Sequence, residues 1–149
     1  MSVSQYCDKK ITTLTQDSSI LEAAQLMRTN HVGEVIIVQR QQGKTVPVGL
    51  ITDRDLVIEI IAMEIDIDKI TLGSIMCLEL ITVNHDSSLK KALELMQVNG
   101  VRRAPVVDSK GALLGIIHIE GILKMLSQDM AKVLKLFNNE RRIEKQFRA

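Results

Sequence analysis

Aromatic side chains are nearly absent: one Tyr, two Phe and no Trp in 149 residues, too few to build the stacking platform on which single-stranded nucleic acid is held. An excess of one charge is missing too. Nineteen Lys and Arg stand against eighteen Asp and Glu, for a net charge of +1, so no long-range field gathers polyanions and nucleic acid is not an expected partner. The two cysteines, Cys7 and Cys77, lie far apart and outside any C-x-x-C or Cys/His grouping. That spacing excludes a zinc-type site and reads as two reduced thiols. No apolar run is long enough to span a bilayer, since the greasiest, "LVIEIIAMEI" (56–65), is cut by Glu59 and Glu64. The start, "MSVSQYCDKK", lacks the apolar centre of a signal peptide. The expectation is a soluble, cytoplasmic protein with no membrane partner.

What is present is enough apolar material, 46% of residues, for a core at this length. It is arranged as a repeat. "TTLTQDSSILEAAQLMRTNHV" (12–32) and "ITVNHDSSLKKALELMQVNGV" (81–101) share Asp-Ser-Ser, an Ala, Leu-Met, Asn and Val at a constant offset of 69 residues. Asp-Ser-Ser before apolar residues at helical spacing (Ile20, Ala23, Ala24, Met27; Leu89, Ala92, Leu93, Met96) predicts a capped amphipathic helix in each copy. "VIIV" (35–38) and "PVV" (105–107) then read as strands, joined through "QRQQGKTV" and "DSKGAL" to second strands "PVGLIT" and "LLGIIH". Helices "DRDLVIEIIAM" and "EGILKMLSQ" follow. The fold class is therefore α/β (α+β): two pseudo-symmetric βαββα units packed sheet to sheet, plus a C-terminal helix. The boundaries are 3–64 and 65–127 for the repeats and 128–149 for a helical tail. Thr71 to Met76 is expected to form a short helical lead into the second repeat.

The stretch "GLITDRDL" (49–56) carries two readings. A carboxylate can hold the cis-diol of a ribose through both hydroxyls while a neighbouring hydroxyl contacts sugar or phosphate, and Thr52 and Asp55 suit those tasks. Gly49 would let the strand approach a ligand. Equally, Thr and Asp ahead of an apolar helical run are what a plain helix cap looks like.

The double βαββα repeat, with "VGLITDRDL" closing the first unit and "RRAPVVD" opening the strands of the second, resembles the tandem CBS domain, or Bateman module, over about residues 3–127. The resemblance implies that the Gly-x-x-Thr-x-x-Asp pattern of Gly49, Thr52 and Asp55 binds the ribose of an adenosine ligand. It further implies a pocket between the repeats, with the carboxylate of one opposite the arginines of the other. One site would then be complete. Thr52, Arg54 and Asp55 would meet Arg102 and Arg103, which suit phosphate, with Leu50, Ile81, Val101 and Pro105 around the purine and sugar. The mirror site departs from the pattern, having His118 for Thr52, Gly121 for Asp55, and Gly33 and Glu34 where the arginines stand. It is expected to be empty or to accept an uncharged molecule.

The resemblance thus points to a non-enzymatic regulatory module with no obligatory cofactor. Its ligand is an adenine nucleotide, AMP first, with ADP, ATP or a related adenosyl compound as alternatives. Its partners are a second copy in a disc-shaped homodimer and an effector protein that the sequence does not name. A ligand-free scaffold with a vestigial pocket is the competing reading. No nucleophile–base or metal constellation argues for an enzyme: Ser18, Ser19, Ser87 and Ser88 read as caps, and His31 and His85 as surface turn residues. In the tail, Ile122, Leu123, Leu126, Met130, Val133, Leu134 and Phe137 recur at helical spacing before "NNERRIEKQFRA" turns charged. The first half is expected to dock and the second to be a solvated, partly frayed helix.

Overall fold

The computed structural model describes residues 2–76 and 79–148; Cys77, and the last residue of the tail, lie outside the described residues. The chain divides into two compact units between Ile117 and His118. The first contains the first repeat and the second repeat up to its last strand; the helix that closes the second repeat falls in the second unit. In the first repeat, Ser19 caps α1 (Ile20–Asn30) through a capping box, its hydroxyl accepting from the Glu22 amide at 3.0 Å while the Glu22 carboxylate accepts from the Ser19 amide at 2.9 Å. In the second, Ser88 caps α4 (Leu89–Asn99) by accepting from the Lys91 amide. Both helices end on a left-handed residue, His31 and Gly100, again 69 positions apart. Glycine takes that conformation without strain and His31 occupies it at the exposed end of α1.

Each repeat supplies a three-stranded sheet. β1 (Thr13–Leu14) runs parallel to β2 (Glu34–Gln41), which pairs antiparallel with β3 (Lys44–Thr52). In the second sheet β5 (Arg103–Val107) lies between β4 (Val83–Asn84) and β6 (Leu113–His118). The β2–β3 hairpin turns on Gln42 and Gly43, both at positive φ, the backbone a two-residue turn needs to match strand twist. The turn before β6 is held by the Asp108 carboxylate, which accepts from the Lys110 and Ala112 amides at 2.8 and 2.9 Å. Those bonds lower its pKa, so their contribution is complete above the ordinary Asp range and fades as pH falls through the lowered value.

Two connections cross. Residues ahead of β1 join the second repeat: Val3 donates to the Ser87 carbonyl, Ser4 to that of His85, and Asp8 exchanges backbone bonds with Ile116 of β6 at 2.8 and 2.9 Å. The linker does the reverse. α3 (Leu72–Ile75) is helical as expected, yet Leu72 and Gly73 donate to the Ser18 and Gln16 carbonyls. Leu72 is buried in the first repeat's core with Ile20, Ala23, Met27, Val35, Ile37, Ile51 and Ile60.

The run after "TDRD" differs from an ordinary helix. α2 (Asp53–Asp55) passes into a π-helical stretch, Leu56–Ile61, in which Ala62 donates to Val57 and Ile65 to Ile60. Val57, Ile58, Ile60 and Ile61 in this stretch are β-branched, a class with slightly lowered helix propensity. In the second unit, α5 (Ile119–Arg148) is one unbroken helix that passes the change of composition near residue 128 without interruption. Among the described residues no helix is long and apolar enough to cross a membrane.

Gly115 and Gly121 test the crossed strap. A Cβ on Gly115 would stand 2.5 Å from the Asp8 carbonyl oxygen, whereas one on Gly121 meets nothing within 4 Å. Gly115→Ala is therefore expected to lower unfolding stability by about 1–3 kcal/mol. Gly121→Ala, in a helix interior, should raise it by about 0.5–1 kcal/mol. Urea unfolding followed by circular dichroism measures both.

Candidate functional site

β3 ends where Thr52 turns out of the strand to cap α2. Its hydroxyl accepts from the Asp55 amide at 3.2 Å and the Asp55 Oδ2 accepts from the Thr52 amide at 2.8 Å. The helix-cap reading of this stretch is thus present in full. It does not use up the carboxylate, because Oδ1 of Asp55 takes no protein donor among the described residues. Asp53 is fixed beside it, its amide donating to the Gly33 carbonyl at 2.9 Å and its carboxylate accepting from the Arg54 amide at 2.8 Å.

Next to this corner lies a cleft of about 350 Å³. The first repeat lines it with Leu50, Thr52, Asp53 and Arg54, the second with Val101, Arg102 and Arg103. Six predicted residues therefore share one cleft, contributed from both repeats. Three do not line it. Asp55 stands one capping box away, Ile81 is half-buried ahead of β4, and Pro105 is fully buried within β5. Gly49 faces Met76 instead: a Cβ there would meet the Met76 sulfur at 2.9 Å, so its missing side chain makes room for the linker.

The residue that sequence reasoning placed elsewhere is Glu34. Arg103 Nη1 donates to Glu34 Oε2 at 2.7 Å, with the two side chains 23% and 11% exposed. Glu34 stands opposite Thr52 in the β2–β3 register, so the carboxylate assigned to a mirror site belongs beside this cleft. Gly33 is wedged against the same group, since a Cβ there would lie 3.2 Å from Asp53 Oδ2 and 3.4 Å from Arg103 Nη1. A signal for the pair was available: residues 34 and 103 are equivalent under the 69-residue offset and carry opposite charges. Asp53 carried none, being one more acid in "TDRD".

Elsewhere, a cleft of about 390 Å³ beside α4 is lined by Val83, Asn84, Ser87, Lys91, Ala92, Glu94, Leu95 and Val98, without a matched carboxylate and arginine set. Among the described residues no group of three or more His, Cys, Asp and Glu could hold a metal ion. Cys7 is a free thiol whose pKa is raised, first by burial.

Comparison with known proteins agrees with this architecture. The sequence profile of the CBS domain matches twice, at residues 3–62 and 72–128, and the chain belongs to that family as a CBS pair. An uncharacterized protein of Methanopyrus kandleri is 33% identical over 143 residues, covering 94% of this chain and 71% of its own length. The CBS domain-containing protein YhcV of Bacillus subtilis is 34% identical over 118 residues, 79% of this chain and 80% of that one. Among solved structures, the CBS domain pair of protein MJ0100, in complex with 5′-methylthioadenosine and S-adenosyl-L-methionine, superposes with a TM-score of 0.74. It is 26% identical over 87% of this chain and 98% of that one.

The ion pair is expected to couple the repeats. Arg103→Met alone removes the guanidinium from the mostly buried Glu34 carboxylate and should cost about 2–3 kcal/mol of stability. Adding Glu34→Gln should recover part of that loss, with a coupling energy of about 1.5–3 kcal/mol in a double-mutant cycle by urea titration.

Proposed function

We propose that the chain is a non-catalytic, cytoplasmic sensor that binds an adenosine ligand in the cleft of Thr52, Arg54, Arg102 and Arg103 and passes its occupancy to an effector protein. The candidates are AMP, ADP, ATP or a related adenosyl compound. The observation that carries the reading is the cleft itself, in which Leu50, Thr52 and Arg54 of one repeat stand with Val101, Arg102 and Arg103 of the other. The adenosyl ligands bound by the MJ0100 pair support it. Asp55, reached by ribose through Oδ1, would hold the cis-diol; Leu50 and Val101 would flank the purine; the arginines would meet the 5′ substituent. Ile81 and Pro105 have at most a supporting part behind that wall.

Signalling follows from linkage. A ligand touching both repeats shifts their arrangement only by the difference in its affinity for the two states, so the response is a modest change within a homodimer. Exposed apolar side chains on the π-helical stretch (Val57, Ile61) and on α5 (Leu123, Leu126, Met130) are the surfaces such a dimer or effector would cover.

A second reading, a dimerisation scaffold with a vestigial pocket, draws on the intrachain engagement of Thr52, Asp55 and Arg103. Calorimetry with AMP, ADP, ATP, S-adenosylmethionine and GTP separates the two. The sensor binds at least one adenosine compound near one per chain, with GTP excluded. Asp55→Asn keeps an oxygen acceptor for the cap but loses the charge that grips the diol, and is expected to weaken binding by roughly tenfold or more. No heat from folded, nucleotide-free protein retires the Asp55 site and leaves the scaffold reading.

A further inference from the structure

We propose that Glu34 sets which 5′ substituent the cleft accepts: by holding Arg103 it makes the site discriminate against polyphosphates and favour adenosine compounds whose 5′ group is uncharged or cationic. The inference rests on the adenosine reading of the cleft. The bond from Arg103 to Glu34 is short, 2.7 Å, and mostly shielded from water, where a charge-assisted bond is strong and its loss costly. Glu34 has little room to retreat, because it opens β2 next to the fully buried Val35 and stands opposite Thr52 on the neighbouring strand. A second carboxylate, that of Asp53, lies with Arg103 Nη1 around Gly33.

A phosphate moving onto Arg103 therefore has two courses. It displaces Glu34, which leaves a shielded carboxylate without that guanidinium, or it settles beside two carboxylates that repel it. The first cost is fixed by the ion pair, and the second grows with the charge of the ligand. A 5′-thioether or sulfonium pays neither. Arg54 and Arg102 also line the cleft but are exposed, so water screens what they offer a polyphosphate.

The test is calorimetric titration of the full chain with 5′-methylthioadenosine and with ATP, free of divalent cations, on wild type, Glu34→Gln and Glu34→Gln/Arg103→Gln. Wild type is expected to bind the thioether more tightly than ATP. In Glu34→Gln the ratio of Kd(ATP) to Kd(thioether) should fall about tenfold or more, and the double variant, lacking the released guanidinium, should lose that gain. Wild type preferring ATP overturns the proposal and needs no variant to fold. So does an unchanged ratio in folded Glu34→Gln, or a gain that persists without Arg103. Failure of wild type to bind either probe is a different result: it removes the adenosine reading itself.

Discussion

The contact between Arg103 and Glu34 joins two positions that the repeat makes equivalent, 69 residues apart. Duplicated units that meet with equivalent residues in contact bring like against like, and two arginines or two glutamates there would repel in a partly dry setting. Opposite charges remove that conflict and break the symmetry in the same step. Once residue 34 is the acid and residue 103 the base, the two halves of the junction differ. The cleft with three arginines and the Thr52 corner belongs to one side only. The pair thus joins the repeats and makes the two halves of their junction unlike.

The crossed connections work to the same end. The strap around Asp8 supplies backbone bonds to β6 at Ile116, while Leu72 of the linker completes the first core. Neither repeat is finished by its own contiguous sequence. Separating them would expose Leu72, now wholly buried, and unpair the Asp8–Ile116 bridge, so large relative movements are costly and small ones near the ion pair are the accessible ones. In the proposed sensor, any response to a ligand would therefore be a shift at the junction, where Arg103 and Glu34 sit.

The legible part of this architecture was whatever repeats or caps. Asp-Ser-Ser located the starts of α1 and α4 to the residue, since a hydroxyl at the cap position is a local instruction. "LLGIIH" defined β6 at both ends, and six of the nine predicted site residues came together. Local pattern could not show that Gly49 serves Met76, that Pro105 is interior, or that Leu72 belongs to the first core. Each depends on which distant segment arrives, and nothing at those positions encodes it. The π-helical turn after Asp55 was hidden for another reason: α- and π-turns share an apolar pattern over so short a run.

The two readings of "TDRD" are also compatible in geometry. A cap needs the Asp55 oxygen nearest the Thr52 amide, and a ribose needs a carboxylate that is already aimed and still has an oxygen to give. Oδ2 bound at 2.8 Å fixes the plane of the group and leaves Oδ1 for the diol. A side chain immobilised by the fold loses no further freedom when a ligand arrives, which lowers the cost of binding. The cap is thus the means by which a loop carboxylate becomes a preorganised one. Glu34 does the opposite to Arg103, occupying the guanidinium that a phosphate would need. In the proposed site, then, Asp55 would offer a sugar an oxygen already aimed by the cap, while Arg103 would meet a ligand with Glu34 already on it.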